Sequence, residues 1–282
     1  MSEDEAVWSA SDGSGAVRVG VRCACGRDRA WQALHDPAGL SRWFGDLTPG
    51  WSPGCRGRIE IGDGDFFDLS VEELAEADHL AFRWRFLGLG AQSHVRWLIT
   101  DRPDGSEVTV EDRQPGRTPA ETDAMIAGWT DFLGRLARHL RTGETSRYGI
   151  RDEIDGTVDL PDAVADPLDP GVVHRWLPIA TDGFVPRWFF IVDSDGPRRF
   201  RLDDWTDAAD EVTFRLAIPQ AARPTSCAIR VTRAGAGRRL SFVHAGWCRL
   251  DLPEHRARQL RRRFTATWVS AVAHARDLAL TR

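Results

Sequence analysis

Gly50-Trp51-Ser52-Pro53-Gly54 has the spacing of a nucleophile elbow, in which a tight strand-to-helix turn presents a serine and the next backbone N–H helps to hold an oxyanion. Pro53 has no N–H to give, and residues 56–61 read as a strand rather than a helix, so a serine hydrolase is not expected. The eight histidines (His35, His79, His94, His139, His174, His244, His255 and His274) show neither HExxH nor another ligand spacing, and most fall in loops or beside charged residues. Cys23, Cys25, Cys55, Cys227 and Cys248 form no CxxC pair, so no metal site, no cofactor and no disulfide framework is expected. Cys23 and Cys25 read as packing residues on one strand face. A general base could come from His139 or His274, although a place on the helix surface is the expectation for both. Glu72, Glu111 and Asp112 could orient a polar group, but carboxylates on antiparallel strands are expected on the solvated face. The run Arg256, Arg258, Arg261, Arg262 and Arg263 could receive an acidic partner or a carrier-protein phosphate, and is read as a solvated helix face.

Aromatic residues give the stronger signal, with 12 Trp and 13 Phe against 1 Tyr. Candidates to line an apolar binding site are Trp43, Phe67, Trp84, Phe86, Trp97, Met125 and Trp129 in the first half, and Trp176, Trp188, Phe214 and Trp268 in the second. Trp84, Phe86, Trp97 and Trp129 fall on the apolar phase of their segments and should face one another across a sheet–helix layer. There they either wall a cavity for a flat guest or simply fill a core.

The elements that would position them come in a repeat. Asp36-Pro37-Ala38-Gly39-Leu40-Ser41-Arg42-Trp43-Phe44 returns as Asp169-Pro170-Gly171-Val172-Val173-His174-Arg175-Trp176-Leu177 at an offset of 133. The alternating run Leu80, Phe82, Trp84, Phe86 returns as Val212, Phe214, Leu216, Ile218 at an offset of 132, and period-2 alternation marks a strand with one buried face. Met125, Trp129, Phe132, Leu133, Leu136 and Leu140, and later Leu260, Phe264, Trp268, Ala271, Val272 and Ala275, lay one apolar stripe along a long helix in each half. Thr118-Pro119-Ala120-Glu121 reads as a capping box with Pro at the first helical position, Asp251-Leu252-Pro253-Glu254 as its repeat, and Gly143 as a helix stop. Strands are expected over 17–25, 56–61, 66–73, 80–86, 95–100 and 108–112, short helices near 29–34 and 38–44, and a hairpin turn at Gly62-Asp63-Gly64-Asp65. Each half thus reads strand, two short helices, antiparallel strands and one long helix, an α+β layer. The expected division is a loose tail over 1–16, a domain over 17–143 and a second over 144–282, with a purely structural role for the second as one reading.

Composition sets the outer bounds. Hydrophobic residues at 42% and charged ones at 28% describe an ordinary globular chain, and a net charge of −5 argues against a general grip on nucleic acid. The chain has no Lys and no Asn, which points to a GC-rich bacterial genome such as an actinobacterium's. Residues 1–16 lack the basic and apolar regions of a signal peptide, and the most apolar stretch, 172–192, is broken by His174, Arg175, Asp182 and Arg187. No membrane segment is expected, and the cytoplasm is the expected location.

The order of elements, with the DP-x-x-L-x-x-W-F segment at Asp36–Phe44 and Gly128-Trp129 in the last helix, resembles the START-like (SRPBCC) helix-grip superfamily, in the branch named for heat-shock-protein ATPase activators. The resemblance covers 17–142 well and 150–280 more weakly, where Asp169-Pro170 and Trp176 remain but Thr267 precedes Trp268. It implies two tandem helix-grip domains and a cavity for a hydrophobic small molecule between sheet and long helix. Two such domains in tandem also resemble proteins of enediyne antibiotic gene clusters, the dynemicin type in particular, some of whose single-domain relatives give self-resistance by being cleaved. The implied function is binding of an aromatic, polyketide-like ligand in enediyne biosynthesis or resistance, with room for a protein partner in that pathway. A polyketide cyclase or aromatase and a chaperone-partner module are the alternatives.

Overall fold

A computed structural model describes residues 7–11, 15–161, 166–182, 185–193 and 196–280. The chain divides into two compact units, residues 1–62 with 66–148, and residues 149–282 with Asp63–Asp65.

In the first unit the strands are β1 (Val7–Ser11), β2 (Ala16–Cys23), β3 (Asp46–Thr48), β4 (Arg56–Gly62), β5 (Asp65–Ala75), β6 (His79–Phe86), β7 (Ser93–Arg102) and β8 (Gly105–Arg113). They form one sheet in the order β1-β2-β8-β7-β6-β5-β4-β3, and each register recorded is antiparallel. Helices α1 (Arg27–His35) and α2 (Pro37–Leu40) follow β2, and α3 (Pro119–Thr142) closes the unit. All six expected strands are present, and Asp63 and Gly64, at φ 55° and 92°, form the left-handed two-residue hairpin turn. The N-terminal expectation fails. Residues 7–11 are not part of a loose tail: they pair with β2 from Val7↔Val21 to Ser11↔Val17, leaving 1–6 and 12–14 outside the described residues.

The capping box is formed as read: Thr118 Oγ1 accepts from the Glu121 N–H at 3.2 Å, and Glu121 Oε2 accepts from the Thr118 N–H at 2.7 Å. Gly143, at φ 74°, ends α3 in the left-handed conformation that glycine adopts at least cost. Trp129, Phe132, Leu133, Leu136 and Leu140 are buried against the sheet, so the apolar stripe does what its spacing requires. Cys23 ends β2 and is buried, whereas Cys25 lies beyond the strand and does not share its face.

In the second unit, β9 (Glu153–Pro161), α4 (Pro170–Val173), β10 (Ile179–Asp182), β11 (Val185–Asp193), β12 (Gly196–Asp207), β13 (Glu211–Ala217), β14 (Thr225–Ala234) and β15 (Gly237–Ala245) lead to α5 (Glu254–Leu280). The sheet order is β10-β11-β12-β13-β14-β15-β9. One of the two short helices expected here is present as α4, and residues 162–165 lie outside those described. The second capping box does not form as read. Asp251 has φ 54°, a left-handed backbone unlike the extended one of an N-cap, and Pro253 precedes α5 rather than occupying its first turn.

The repeated Asp-Pro is a helix start in both units. Asp36 accepts from the Ala38 N–H at 3.2 Å and Asp169 from the Gly171 N–H at 2.7 Å, each with Pro at the first helical position. The repeated Trp completes the motif. Ala33 is in the last turn of α1, where its carbonyl would bond to residue 37, but Pro37 has no N–H; the Trp43 indole N–H donates to it at 2.9 Å. Trp176 donates likewise to the Pro167 carbonyl at 2.9 Å. Trp43 and Trp176 are 0% and 4% exposed, so both act as anchors of the short-helix segment. Trp43→Phe and Trp176→Phe, each leaving a buried carbonyl without its donor, are expected to lower unfolding free energy by about 1–3 kcal/mol in urea titrations. Losses under about 0.5 kcal/mol would show that these indoles are replaceable packing.

Candidate aromatic binding site

In the first unit the candidate residues converge. Trp84 stacks on Phe67 at 3.9 Å between ring centroids and 13° between planes, and on Trp129 at 5.0 Å and 17°. Phe67, Trp84 and Trp129 thus form a ladder of near-parallel rings, and Phe44 flanks the last two, 6.3 Å from Trp84 at 20° and 6.2 Å from Trp129 at 10°. Trp97 meets Trp129, Phe82 and Phe44 edge-on, at 88°, 89° and 79°. Trp43, Trp84, Trp97 and Trp129 are all at most 2% exposed. The rings therefore fill much of the layer themselves, in the offset and edge-on contacts that aromatic quadrupoles favour. Phe67, Phe86 and Met125 are only partly buried and pack, with Ile126, at the rim of this cluster.

The second unit gathers fewer of its candidates. Trp268 stacks on Phe242 at 4.8 Å and 12°, and Phe214 on Trp205 at 5.5 Å and 19°. Trp188 does not join them: it alternates with the buried Phe189 on β11, so it is on the other face, with the Arg199 guanidinium 4.7 Å from its ring.

What seats each closing helix is polar. Asp112, on β8, is 0% exposed: its Oδ2 accepts from the Trp129 indole N–H at 3.0 Å and its Oδ1 from Arg117 at 2.6 Å. Arg117 also donates to Ser93 Oγ at 3.2 Å and to the Gly15 carbonyl at 3.0 Å. In the second unit the Trp268 indole N–H donates to His244 Nδ1 at 3.1 Å, and His244 Nε2 bonds Thr225 Oγ1 at 2.8 Å. Because Nδ1 accepts, the ring is the tautomer that donates from Nε2. Asp112 and His244 stand 132 apart, as do Ser93 and Thr225, so the repeat preserves a hydroxyl, an acceptor and an indole while changing the acceptor from carboxylate to imidazole.

Asp112 overturns the expectation of a solvated face, because the Arg117 charge and an indole N–H replace its water. Glu72 and Glu111 do face outward, the first with Arg83 and His94, the second with Arg18. His244 was no candidate, and burial with the Arg261 charge nearby brings its pKa down to about 3. His139 is a helix-surface residue whose Nδ1 lies 3.0 Å from the Glu144 carbonyl, and His274 is exposed. Arg261 departs from its neighbours in the basic run. It is 0% exposed, with two of its nitrogens donating to the Asp65 carboxylate at 3.0 and 2.9 Å. Ser52, in the elbow-like pentapeptide, precedes β4, and no helix follows it. The described residues hold no cluster of His, Cys, Asp and Glu able to bind a metal, and no described helix is long and apolar enough to cross a membrane.

The model of the family described as Activator of Hsp90 ATPase homolog 1-like protein matches residues 24–141. Among solved structures, DynU16, from the dynemicin biosynthetic locus, is 45% identical, covers 94% of this chain and 99% of its own, and superposes with a TM-score of 0.88. CalU16 from Micromonospora echinospora is 18% identical over 49% of this chain and 86% of its own, with a TM-score of 0.38. MLL2253 from Mesorhizobium loti is 21% identical over 45% of this chain and 98% of its own, with a TM-score of 0.42. A search of curated proteins finds no match.

Two outcomes follow from the polar seats. Removing half of a buried pair leaves the other charge uncompensated, so Asp112→Ala is expected to cost about 3–5 kcal/mol in chemical denaturation, against under 1 kcal/mol for Glu72→Ala on the exposed face. The folded-state pKa of His244 lies below its unfolded value of 6.5, so its contribution is complete above that value and is lost as pH falls toward 3. Unfolding free energy should therefore drop more steeply between pH 6 and about 4 in the native chain than in His244→Gln, by close to one proton's worth. Parallel pH profiles would contradict this.

Proposed function

The chain belongs to the Activator of Hsp90 ATPase homolog 1-like family of START-like proteins, in the two-domain form shared with DynU16, and on that premise we propose that it binds a flat, hydrophobic, polyketide-like molecule. The observation that carries this reading is the ladder of near-parallel rings Phe67, Trp84 and Trp129 in the first unit, flanked by Phe44 and only partly covered at Phe67. A planar guest extends the ladder at Phe67, displacing the rim side chains Phe86 and Met125 and gaining apolar burial plus about 0.5–1.5 kcal/mol for a favourable ring pair. Its setting is the biosynthesis of an enediyne or self-resistance to one, supported by the 45% identity to a protein of the dynemicin locus. A cytoplasmic place agrees with five free thiols.

Binding is favoured over ring-closing catalysis because both oxygens of Asp112 and both nitrogens of His244 are already engaged, so neither of these buried groups is free to carry a proton to a guest. It is favoured over a chaperone-partner role because Val185 is the one large hydrophobic exposed among the described residues, too little for an apolar docking face. Titration with polycyclic aromatic polyketides, followed by tryptophan fluorescence, should give saturable quenching that Phe67→Ala weakens about tenfold. Phe67 is part-buried, so that variant should stay folded, whereas Trp84→Ala should cost about 3–5 kcal/mol of stability. Absence of quenching by every such compound, or an affinity untouched by Phe67→Ala, would contradict the proposal.

A further inference from the structure

The first unit carries a second concave feature, a cleft of about 240 Å³ between α1, α2 and the C-terminal end of α3. Its lining includes Arg29, Gln32, Asp36, Gly39, Arg42 and His139. Two guanidiniums and an imidazole thus meet one carboxylate, in a chain whose net charge is −5. The carboxylate is committed, since Asp36 caps α2 through the Ala38 N–H at 3.2 Å. The helix-end carbonyls that would repel an anion are also occupied: Leu140 O accepts from Arg29 at 2.7 Å, and His139 O from the Gly143 N–H at 2.8 Å. His139 is oriented by its Nδ1, which donates to the Glu144 carbonyl at 3.0 Å. The floor is closely packed: a Cβ on Gly39 would meet the Gln32 carbonyl oxygen at 2.9 Å and the Ala33 Cα at 3.2 Å, so α2 lies directly on α1. No ion pair or hydrogen bond engages the exposed Arg42 guanidinium among the described residues.

We propose that this cleft binds a small oxyanion, the phosphate or carboxylate head of a small molecule, gripped by Arg42 with Arg29 in support. A guanidinium presents parallel N–H donors that match two oxygens of either group, and it remains charged at every working pH. The volume falls below the roughly 300–1,000 Å³ of sites that swallow a whole drug-sized ligand, so the cleft suits a head group. The site is separate from the aromatic ladder and stands whether or not that ladder takes a guest.

Calorimetric titration of the full chain with sodium phosphate and, separately, sodium acetate, at fixed ionic strength, tests this. One saturable site is expected, with affinity reduced about tenfold in Arg42→Gln, the loss of one charged hydrogen-bonding pair. Arg83→Gln, on the exposed sheet face, should leave the affinity unchanged. Saturation by phosphate alone assigns a phosphate site, and saturation by acetate a carboxylate one, both supporting the proposal. Circular dichroism checks folding of Arg42→Gln, and Arg29→Gln, expected to weaken binding about threefold, is the second variant. Linear heats with both salts, or affinities unaltered in both cleft variants, would overturn it.

Discussion

The position of each closing helix rests on one hydrogen bond from an indole to an acceptor buried in the sheet. Apolar burial drives α3 and α5 onto their sheets but is indifferent to small slides and rotations. An N–H bond is directional, and an unpaired acceptor in the interior is costly, so Trp129 on Asp112 and Trp268 on His244 select one seating among many of similar area. The first unit adds a charge. Arg117 stands immediately before the capping box and grips the same carboxylate, so the start of α3 and its third turn are fixed to one residue of β8.

That seating produces the ring ladder. With Trp129 held by its nitrogen, its face is presented to Trp84, which in turn supports Phe67 at the rim. The described interior of the first unit is thus a stack with a partly covered end, and in the proposed function a guest would enter by continuing that stack. The second unit uses the same plan with a neutral acceptor: His244 sits between Thr225 and Trp268, ringed by Trp247 and Phe264, with Trp188 turned to the opposite face. This difference makes the first unit the better candidate for ligand binding.

Much of the fold was legible because its signals are local. Alternation at Leu80, Phe82 and Trp84, the stripe ending at Leu140, and Asp-Pro at both helix starts each follow from backbone geometry. β1 was not, since a short edge strand takes its reason from its neighbour β2 rather than from its own acidic, Ser-rich surroundings. The aromatic cluster was legible by phase, but whether rings fill or wall a space depends on packing that no spacing encodes. Asp112 and Arg261 read as solvated and His244 did not stand out for one reason: what buries a polar side chain is a partner on another element, which its own strand or helix pattern does not show. The 132-residue offset that pairs Asp112 with His244 and Ser93 with Thr225 was the available signal, and it becomes visible once the repeat is read for polar as well as apolar positions.

The most direct measurement follows the indole N–H resonances of the full chain by NMR while a polycyclic aromatic polyketide is added. The account predicts ring-current shifts at Trp84 and Trp129, a Trp129 N–H that stays hydrogen-bonded to Asp112, and an unmoved Trp268. Saturable binding that leaves Trp84 and Trp129 unshifted, or that shifts Trp268 instead, would contradict it.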